Sequence, residues 1–393
     1  MYQRKLVDVI RTRINEPRVF MQIVLGPRQV GKSTMMRQAV EDLPFPSVTI
    51  SADELGVIGS AWLHDHWSKA RLLAQAHGRC VLVIDEAQKI PNWSETVKRL
   101  WDEDTSTSVN LLVVLTGSST MLLRKGLSES LAGRFEVLRA HHWSWSEMRD
   151  AFNITLDDYL TLGGYPGPMK LLPDSERWLL YIKESIIEST LALDVLQQER
   201  IDKPALLRNL FVLGTSLTSK IVSLQKLLGQ LQDSGNAASI AHYLELLRDG
   251  GLLCGLQKYA GTIVRKRSAS PKLQSYAPTL FSAVMGMASS HATSSALYRG
   301  QMVESAVGAH LLQLASTARA EVQYWREGRF EVDFVVSTPT QRVLVEVKSG
   351  NIRDAYAGAT AFRKQHGDTR LIVVGSPDHP LENVLQYGLS DLF

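Results

Sequence analysis

The segment Gly26-Pro27-Arg28-Gln29-Val30-Gly31-Lys32-Ser33 constrains this chain more than any other, because it matches G-x-x-x-x-G-K-[ST]. It also sits where that pattern has meaning, between an apolar strand-like run at Met21–Leu25 and the helix-compatible stretch MMRQAVEDL, which Pro44 stops. Each fixed residue has a physical role. The glycines let backbone N–H groups curl around phosphate oxygens, and the helix N-terminus adds partial positive charge. Lys32 can reach the β- and γ-phosphates, and the Ser33 hydroxyl can ligate Mg²⁺. Gly26 through Ser33, with Thr34, are the expected nucleotide contacts.

The surrounding pattern agrees. Residues 48–51, 81–84 and 111–115 read as further short apolar strands, and residues 63–77 read as a helix ended by Gly78. Continuous apolar strands separated by helical stretches describe a parallel sheet covered on both faces. Residues 1–150 are therefore expected to form an α/β domain.

The run Val81-Leu82-Val83-Ile84 ends in Asp85-Glu86. Two carboxylates at the C-terminal edge of a buried strand lie where parallel sheets bind ligands. Asp85 would join Ser33 in holding Mg²⁺, and Glu86 would activate the attacking water. Residues 111–115 run into Thr116-Gly117-Ser118-Ser119, which could orient that water or sense the γ-phosphate, Ser118 being the chosen residue. Local hydrogen bonding in a turn explains such hydroxyls equally well. Arg134, in SLAGRFE, is a candidate arginine finger or a structural salt-bridge partner.

Beyond the first domain the pattern becomes helical. Residues 178–193 and 203–217 read as helices, and SLQKLLGQL, ASIAHYLELLRDGG and LLCGLQKYAG follow. Short helices leading into a hairpin fit a winged helix, with a plain helical bundle as the alternative, and residues 151–290 are taken as this middle domain. Residues 291–393 are the third, entered through the linker HATSSALYRG. There, residues 302–318 read as a helix, VQYWRE, FEVDFVV and RVLVEVKSG as strands, 355–365 as a helix and RLIVVG as a last strand.

Asp333 lies in one of those strands and Glu346-Val347-Lys348 in the next. Alternation puts Glu346 and Lys348 on one face. Carboxylates with a neighbouring lysine can bind Mg²⁺ and position water for phosphodiester cleavage, and Glu304 on the preceding helix supplies a further acid. The same residues could instead form a buried ion-pair cluster. Arg265, Lys266, Arg267, Lys272, Arg299, Arg326 and Arg329 form a basic concentration able to neutralise phosphates, despite a net charge of only +3.

Taken in order, GPRQVGKST, VLVIDEAQKIPNW, LTGSS, SLAGRFE, GGYP, YWREGRFEVDFVV and VLVEVKSG resemble the prokaryotic AAA-superfamily ATPases with a restriction-endonuclease-like C-terminal domain. The resemblance spans nearly the whole chain. It implies an AAA-type P-loop core, a helical and winged-helix middle and a PD-(D/E)xK-type end, with ATP and Mg²⁺ as cofactors. It also implies homo-oligomers whose nucleotide site is completed by a neighbour's arginine, a hexamer being open. The leading expectation is an ATP-hydrolysing enzyme acting on DNA, with branched or junction DNA favoured by the uses of that nuclease fold. A regulatory switch controlling a partner or transcription, and a defence-associated ATPase, are the alternatives.

Composition excludes other classes. Hydrophobic residues at 45% with charged residues at 21% describe an ordinary globular protein rather than a disordered or fibrous one. Only Cys80 and Cys254 occur, both in apolar runs, which suits buried free thiols in a reducing cytoplasm. The N-terminal MYQRKLVDVIRTRI has no signal-peptide core, and no run approaches the roughly 18 apolar residues of a membrane span.

Overall fold

A computed structural model describes the chain except residues 54–58, 119–129, 197–200, 232–235, 261–268, 288–295 and 349–354. Ser119, Arg265, Lys266, Arg267 and residues 291–295 of the 291–300 linker lie outside the described residues. The chain divides into two compact units, Met1–His141 and His142–Phe393.

In the first unit, β1 (Met21–Leu25), β2 (Ser47–Ser51), β3 (Cys80–Asp85), β4 (Leu111–Gly117) and β5 (Phe135–Arg139) form one sheet in the order β2-β3-β4-β1-β5. Every pairing in it is parallel. The residues of β1, most of β3 and all of β4 are buried, as their unbroken apolar sequences require. One face packs Met21, Ile23, Leu25, Leu82 and Ile84 against Leu63 and Trp67 of α3 (Ser60–His77) and Trp101 of α4 (Trp93–Ser106). A buried polar group locks these two helices together. Asp104 is 0% exposed and accepts hydrogen bonds from Trp67 Nε1 at 2.7 Å and from Arg71 Nε. α1 (Lys5–Asn15) buries Val7, Ile10 and Ile14 at helical spacing and packs on α2 (Lys32–Val40). α1, α4 and β5 are additional to the elements expected from sequence.

The second unit begins with α5 (Trp145–Phe152) and α6 (Leu156–Leu162), each opened by a capping box, at Ser144/Glu147 and Thr155/Asp158. The single helix expected over 178–193 is α7 (Ser175–Leu180) continuing into wider π-helical turns at Tyr181–Glu188 and Leu191–Leu196. Next come α8 (Pro204–Ser216), α9 (Leu224–Gln230) and α10 (Ala237–Asp249). Asn236 caps α10, its side-chain Oδ1 accepting from Ser239 N at 2.8 Å. An antiparallel pair, β6 (Leu253–Leu256) with β7 (Lys272–Ser275), precedes α11 (Pro278–Met285) and the long α12 (Ala296–Thr317).

β8 (Glu321–Glu327), β9 (Phe330–Ser337), β10 (Arg342–Val347) and β11 (Arg370–Val374) form a second sheet in the order β11-β10-β9-β8. α13 (Ala355–His366) covers one face through Phe362 and Ala359, packed on Trp325, Val332 and Leu344. The middle region is stitched into this sheet. Tyr259 N donates to Tyr324 O at 2.6 Å, and Tyr324 N donates to Gln257 O at 3.2 Å, so residues 257–259 pair along the edge of β8. On β7, Lys272 and Gln274 point to one side. Gln274 Nε2 donates to Ser305 O of α12 at 2.8 Å, and a Cβ at Gly308 would stand 2.1 Å from Gln274 Oε1, so only glycine admits that contact.

Candidate nucleotide site and carboxylate cluster

Register alone assembles the first site. Leu25 pairs with Gly117, Val24 with Thr116 and Ile84 with Leu115, so the C-terminal ends of β1, β3 and β4 lie side by side. Because β4 runs between β1 and β3, its Thr116 falls between the loop after β1 and the acids after β3.

Side chains then close the arrangement. Ser33 Oγ donates to Asp85 Oδ2 at 2.6 Å, and Thr116 Oγ1 donates to Asp85 Oδ1. Glu86 N donates to Asp85 Oδ1 at 3.1 Å. Lys32 Nζ donates to the carbonyls of Gly26 and Pro27 at 3.0 and 2.9 Å, which holds the ammonium over the loop. Gly26 cannot carry a side chain, because its Cβ would stand 2.1 Å from Ala140 O, just after β5. Gln29 and Glu86 both adopt positive φ, at 59° and 53°. Such conformations are costly for residues with a Cβ and collect at functional sites.

Glu86 is held as well as strained. Gln88 Nε2 donates to Glu86 Oε2 at 2.5 Å. Burial, with the negative charge of Asp85, raises the Glu86 carboxyl above its ordinary range, while Lys32 and Arg28 pull it down. A carboxylate whose proton affinity is raised is better suited to accept a proton from water. Ser118, one residue past β4, is buried, and its Oγ has no hydrogen-bond partner among the described residues.

Three contributors were not assigned from sequence. Gln88 and Thr116 were in view but without these roles. Arg4 was not, and it is 4% exposed, with Nη1 donating to Val30 O in the loop and to His141 O at 3.3 and 3.0 Å. A lone arginine near a chain start carries no local signal of such a contact.

Arg134 lies elsewhere. Its carbonyl accepts from Met21 N at 2.8 Å, so it stands at the start of β1, whereas the phosphate loop follows the end of β1. Five strand residues separate the two edges by roughly 16 Å. Its guanidinium makes a two-pronged pair with Asp102, Nε to Oδ1 at 2.8 Å and Nη2 to Oδ2 at 3.0 Å. Arg134 therefore does not reach the nucleotide loop of its own chain.

In the second unit Glu304, Asp333, Glu346 and Lys348 do come together. Lys348 Nζ lies 2.8 Å from Glu346 Oε1, and Asp333 N donates to Glu346 Oε2 at 3.3 Å. Asp333 Oδ2 accepts from Val347 N at 2.9 Å. Lys272, expected from sequence among the phosphate-facing basic residues, is instead buried and faces carboxylates. Its side chain is 0% exposed, with Nζ 2.5 Å from Glu304 Oε1 and 3.2 Å from Asp333 Oδ1. Strand alternation on β7 turns it inward. Burial alone would lower the Lys272 pKa, but attraction to Asp333 and Glu304 outweighs it, and the ammonium stays charged. Of the remaining basic residues, Arg299 pairs with Asp157 at 3.1 Å, Arg326 lies 3.9 Å from Glu331, and Arg329 stacks over Phe330.

A metal ion fits the two places differently. At the phosphate loop, a hydroxyl and a carboxylate in mutual contact beside a phosphate cradle are the donors that Mg²⁺ takes. In the second unit a buried ammonium already occupies the space between the carboxylates. Among the described residues no group of three or more His, Cys, Asp or Glu side chains is arranged to hold a metal ion.

The sheet order, the loop after β1 and the acid pair after β3 define a P-loop nucleotide-binding domain. More specifically, residues 20–149 match the AAA domain family. Residues 153–291 and 299–386 match two families described as domains of unknown function, DUF8612 and DUF4143. An uncharacterized protein of Haemophilus influenzae is 21% identical over 61% of this chain and 63% of its own length. One of Methanocaldococcus jannaschii is 23% identical over 74% and 66%. One of Mycobacterium tuberculosis is 26% identical over 64% and 53%, so the chain spans just over half to about two thirds of these relatives. Among solved structures, AMPPCP-bound DnaA of Aquifex aeolicus aligns at 13% identity and a TM-score of 0.33, covering 62% of this chain and 86% of that one. The RuvB branch migration motor of Thermotoga maritima aligns at 18% and 0.32, covering 63% and 85%. Both cysteines are free and buried, and among the described residues no helix is long and apolar enough to cross a membrane.

Proposed function

We propose that this protein hydrolyses ATP at the 26–33 loop and uses the cycle to act on DNA through its second unit. The observation that carries the first half is the line Ser33–Asp85–Thr116, which sets Glu86 beside the phosphate cradle. Gly26 to Thr34 would bind the triphosphate, with Lys32 turning from the loop carbonyls to the β- and γ-phosphates. Ser33 and Asp85 would hold Mg²⁺, which when bound offsets charge on the phosphate oxygens. Glu86 would take a proton from the water that attacks the γ-phosphorus, as the bond to the β–γ bridging oxygen breaks and ADP leaves. Ser118 would orient that water or the γ-phosphate. Gln88 would position the Glu86 carboxylate.

Arg134 would serve the site of a neighbouring copy, since its own site lies at the opposite sheet edge. That requires a homo-oligomer and release of Arg134 from Asp102. We read α8–α10 with the β6–β7 pair as a winged helix, and the sheet beyond α12 as a PD-(D/E)xK-type scaffold. The DNA half rests on these readings and on one exposed surface. Arg329, Lys364 and the 54%-exposed Tyr356 line a cleft of about 780 Å³ between the β8–β9 turn and α13. Cations beside an exposed aromatic suit a nucleic-acid strand.

ATP turnover measured without DNA and with single-stranded, duplex, forked and four-way DNA tests the proposal. Stimulation by any of these supports it. Turnover indifferent to all of them, with no binding in gel shifts, would instead favour a switch acting on a partner protein.

A further inference from the structure

The C-terminal carboxylates surround a cation that the chain itself supplies. Lys272 arrives from β7, more than 30 residues before Glu304 in sequence, and its ammonium lies between Glu304 and Asp333 with no exposure to solvent. The Phe334 ring closes another side, 4.8 Å from Nζ. Gln274, two residues on, is held by Ser305 O in the same interface, which anchors the strand that carries Lys272.

The carboxylate oxygens of Asp333 and Glu346 are also taken. Asp333 directs Oδ1 to Lys272 and Oδ2 to Val347 N, while Glu346 directs Oε1 to Lys348 and Oε2 to Asp333 N. A divalent cation binds carboxylate oxygens at about 2.0–2.6 Å, which here would bring it nearly into contact with Nζ. Like charges that close exclude one another.

We propose that Lys272 stands in place of a divalent cation, so that the Glu304–Asp333–Glu346 cluster takes up neither Mg²⁺ nor Mn²⁺ unless Lys272 is withdrawn or replaced. The second unit is then a scaffold neutralised from within and joined across β7, and it does not cleave DNA. This stands apart from the ATPase reading, and its test needs neither nucleotide nor turnover.

The test is Mn²⁺ binding by electron paramagnetic resonance, together with thermal midpoints with and without millimolar MnCl₂, on the nucleotide-free full chain. Any contribution from the phosphate loop is common to all arms and cancels. Wild type and Asp333→Asn should bind Mn²⁺ equally, with midpoints that Mn²⁺ shifts by the same amount. Lys272→Met should melt several degrees lower, gain about one Mn²⁺ and recover part of the loss. Adding Asp333→Asn to Lys272→Met should abolish that gain. If Lys272→Met does not fold, Lys272→Gln, which keeps all three carboxylates and a hydrogen-bond donor between them, is read in the same way, with a gained Mn²⁺ expected. Mn²⁺ binding by wild type that Asp333→Asn removes would overturn the proposal. So would the lack of any gain in whichever Lys272 variant folds.

Discussion

Ser33 Oγ lies 2.6 Å from Asp85 Oδ2, joining the first turn of α2 to the end of β3 across 52 residues of sequence. Neither element reaches the other locally. Sheet order does it, with β4 contributing Thr116 to the same carboxylate. This contact ties the glycine-rich loop after β1 to the acids after β3, the arrangement on which the proposed phosphate and Mg²⁺ site rests.

Lys32→Ala should leave the fold intact and lower ATP turnover by on the order of 100-fold or more, since no backbone donor replaces a cation on the transferred phosphoryl group. Steady-state phosphate release by purified protein checks this. Turnover at the wild-type rate would remove the 26–33 loop from catalysis.

Glu86→Gln should bind ATP within about threefold of wild type and lose on the order of 10²–10⁴-fold in hydrolysis, because the amide is isosteric but a poor base. Gln88→Ala should bind ATP equally well and lose less, about tenfold, by freeing the Glu86 side chain. Fluorescent-nucleotide binding beside single-turnover hydrolysis separates the two effects. Loss of binding in Glu86→Gln would make that residue structural.

Gly26→Ala tests the close approach of β5. The added methyl meets Ala140 O at 2.1 Å, so the loop or the strand end must move. Overpacking of this kind costs about 1–3 kcal/mol, and both the thermal midpoint and ATP affinity should fall. An unchanged midpoint would mean that the two segments are not held together.

Arg134→Ala should bind ATP and stay folded, because half-exposed pairs such as Arg134–Asp102 contribute only about 0–1 kcal/mol. It should hydrolyse ATP slowly. Mixed with Lys32→Ala it should regain activity, each copy supplying what the other lacks. Absence of rescue in mixed assemblies, or full activity of a wild-type monomer, would count against a finger acting between copies.

Glu346 gives a prediction in pH. Burial, then the charge of Asp333, raises its carboxyl from 4.5 to about 7. Folding therefore takes up a proton between those values, and wild type should gain stability relative to Glu346→Gln as pH falls from about 7 to 4.5. The gain should be on the order of 1–3 kcal/mol and complete below 4.5. Denaturant midpoints of the two proteins at pH 8, 6 and 4.5 measure it. A difference that stayed constant across that range would put Glu346 in a more solvated setting.

What the sequence determined by itself was local chemistry with short-range periodicity. MQIVL, VLVI and LLVVL are strands because unbroken apolar runs must be covered on both faces, and Gly31-Lys32-Ser33 opens a helix after a turn. The C-terminal strands were legible from short-range apolar and alternating patterns as well. β5 was not, since FEVLR is half-buried with mixed polarity and is ordered by the edge of β1 it joins. Tertiary structure alone decided three things. It set Arg134 at the sheet edge away from its own nucleotide loop, brought Arg4 to Val30, and drove Lys272 among the carboxylates of a sheet formed later in the chain. In sequence each of these is only a cation. What it neutralises depends on which strand ends and helix faces the topology brings beside it, and no spacing along the chain encodes that.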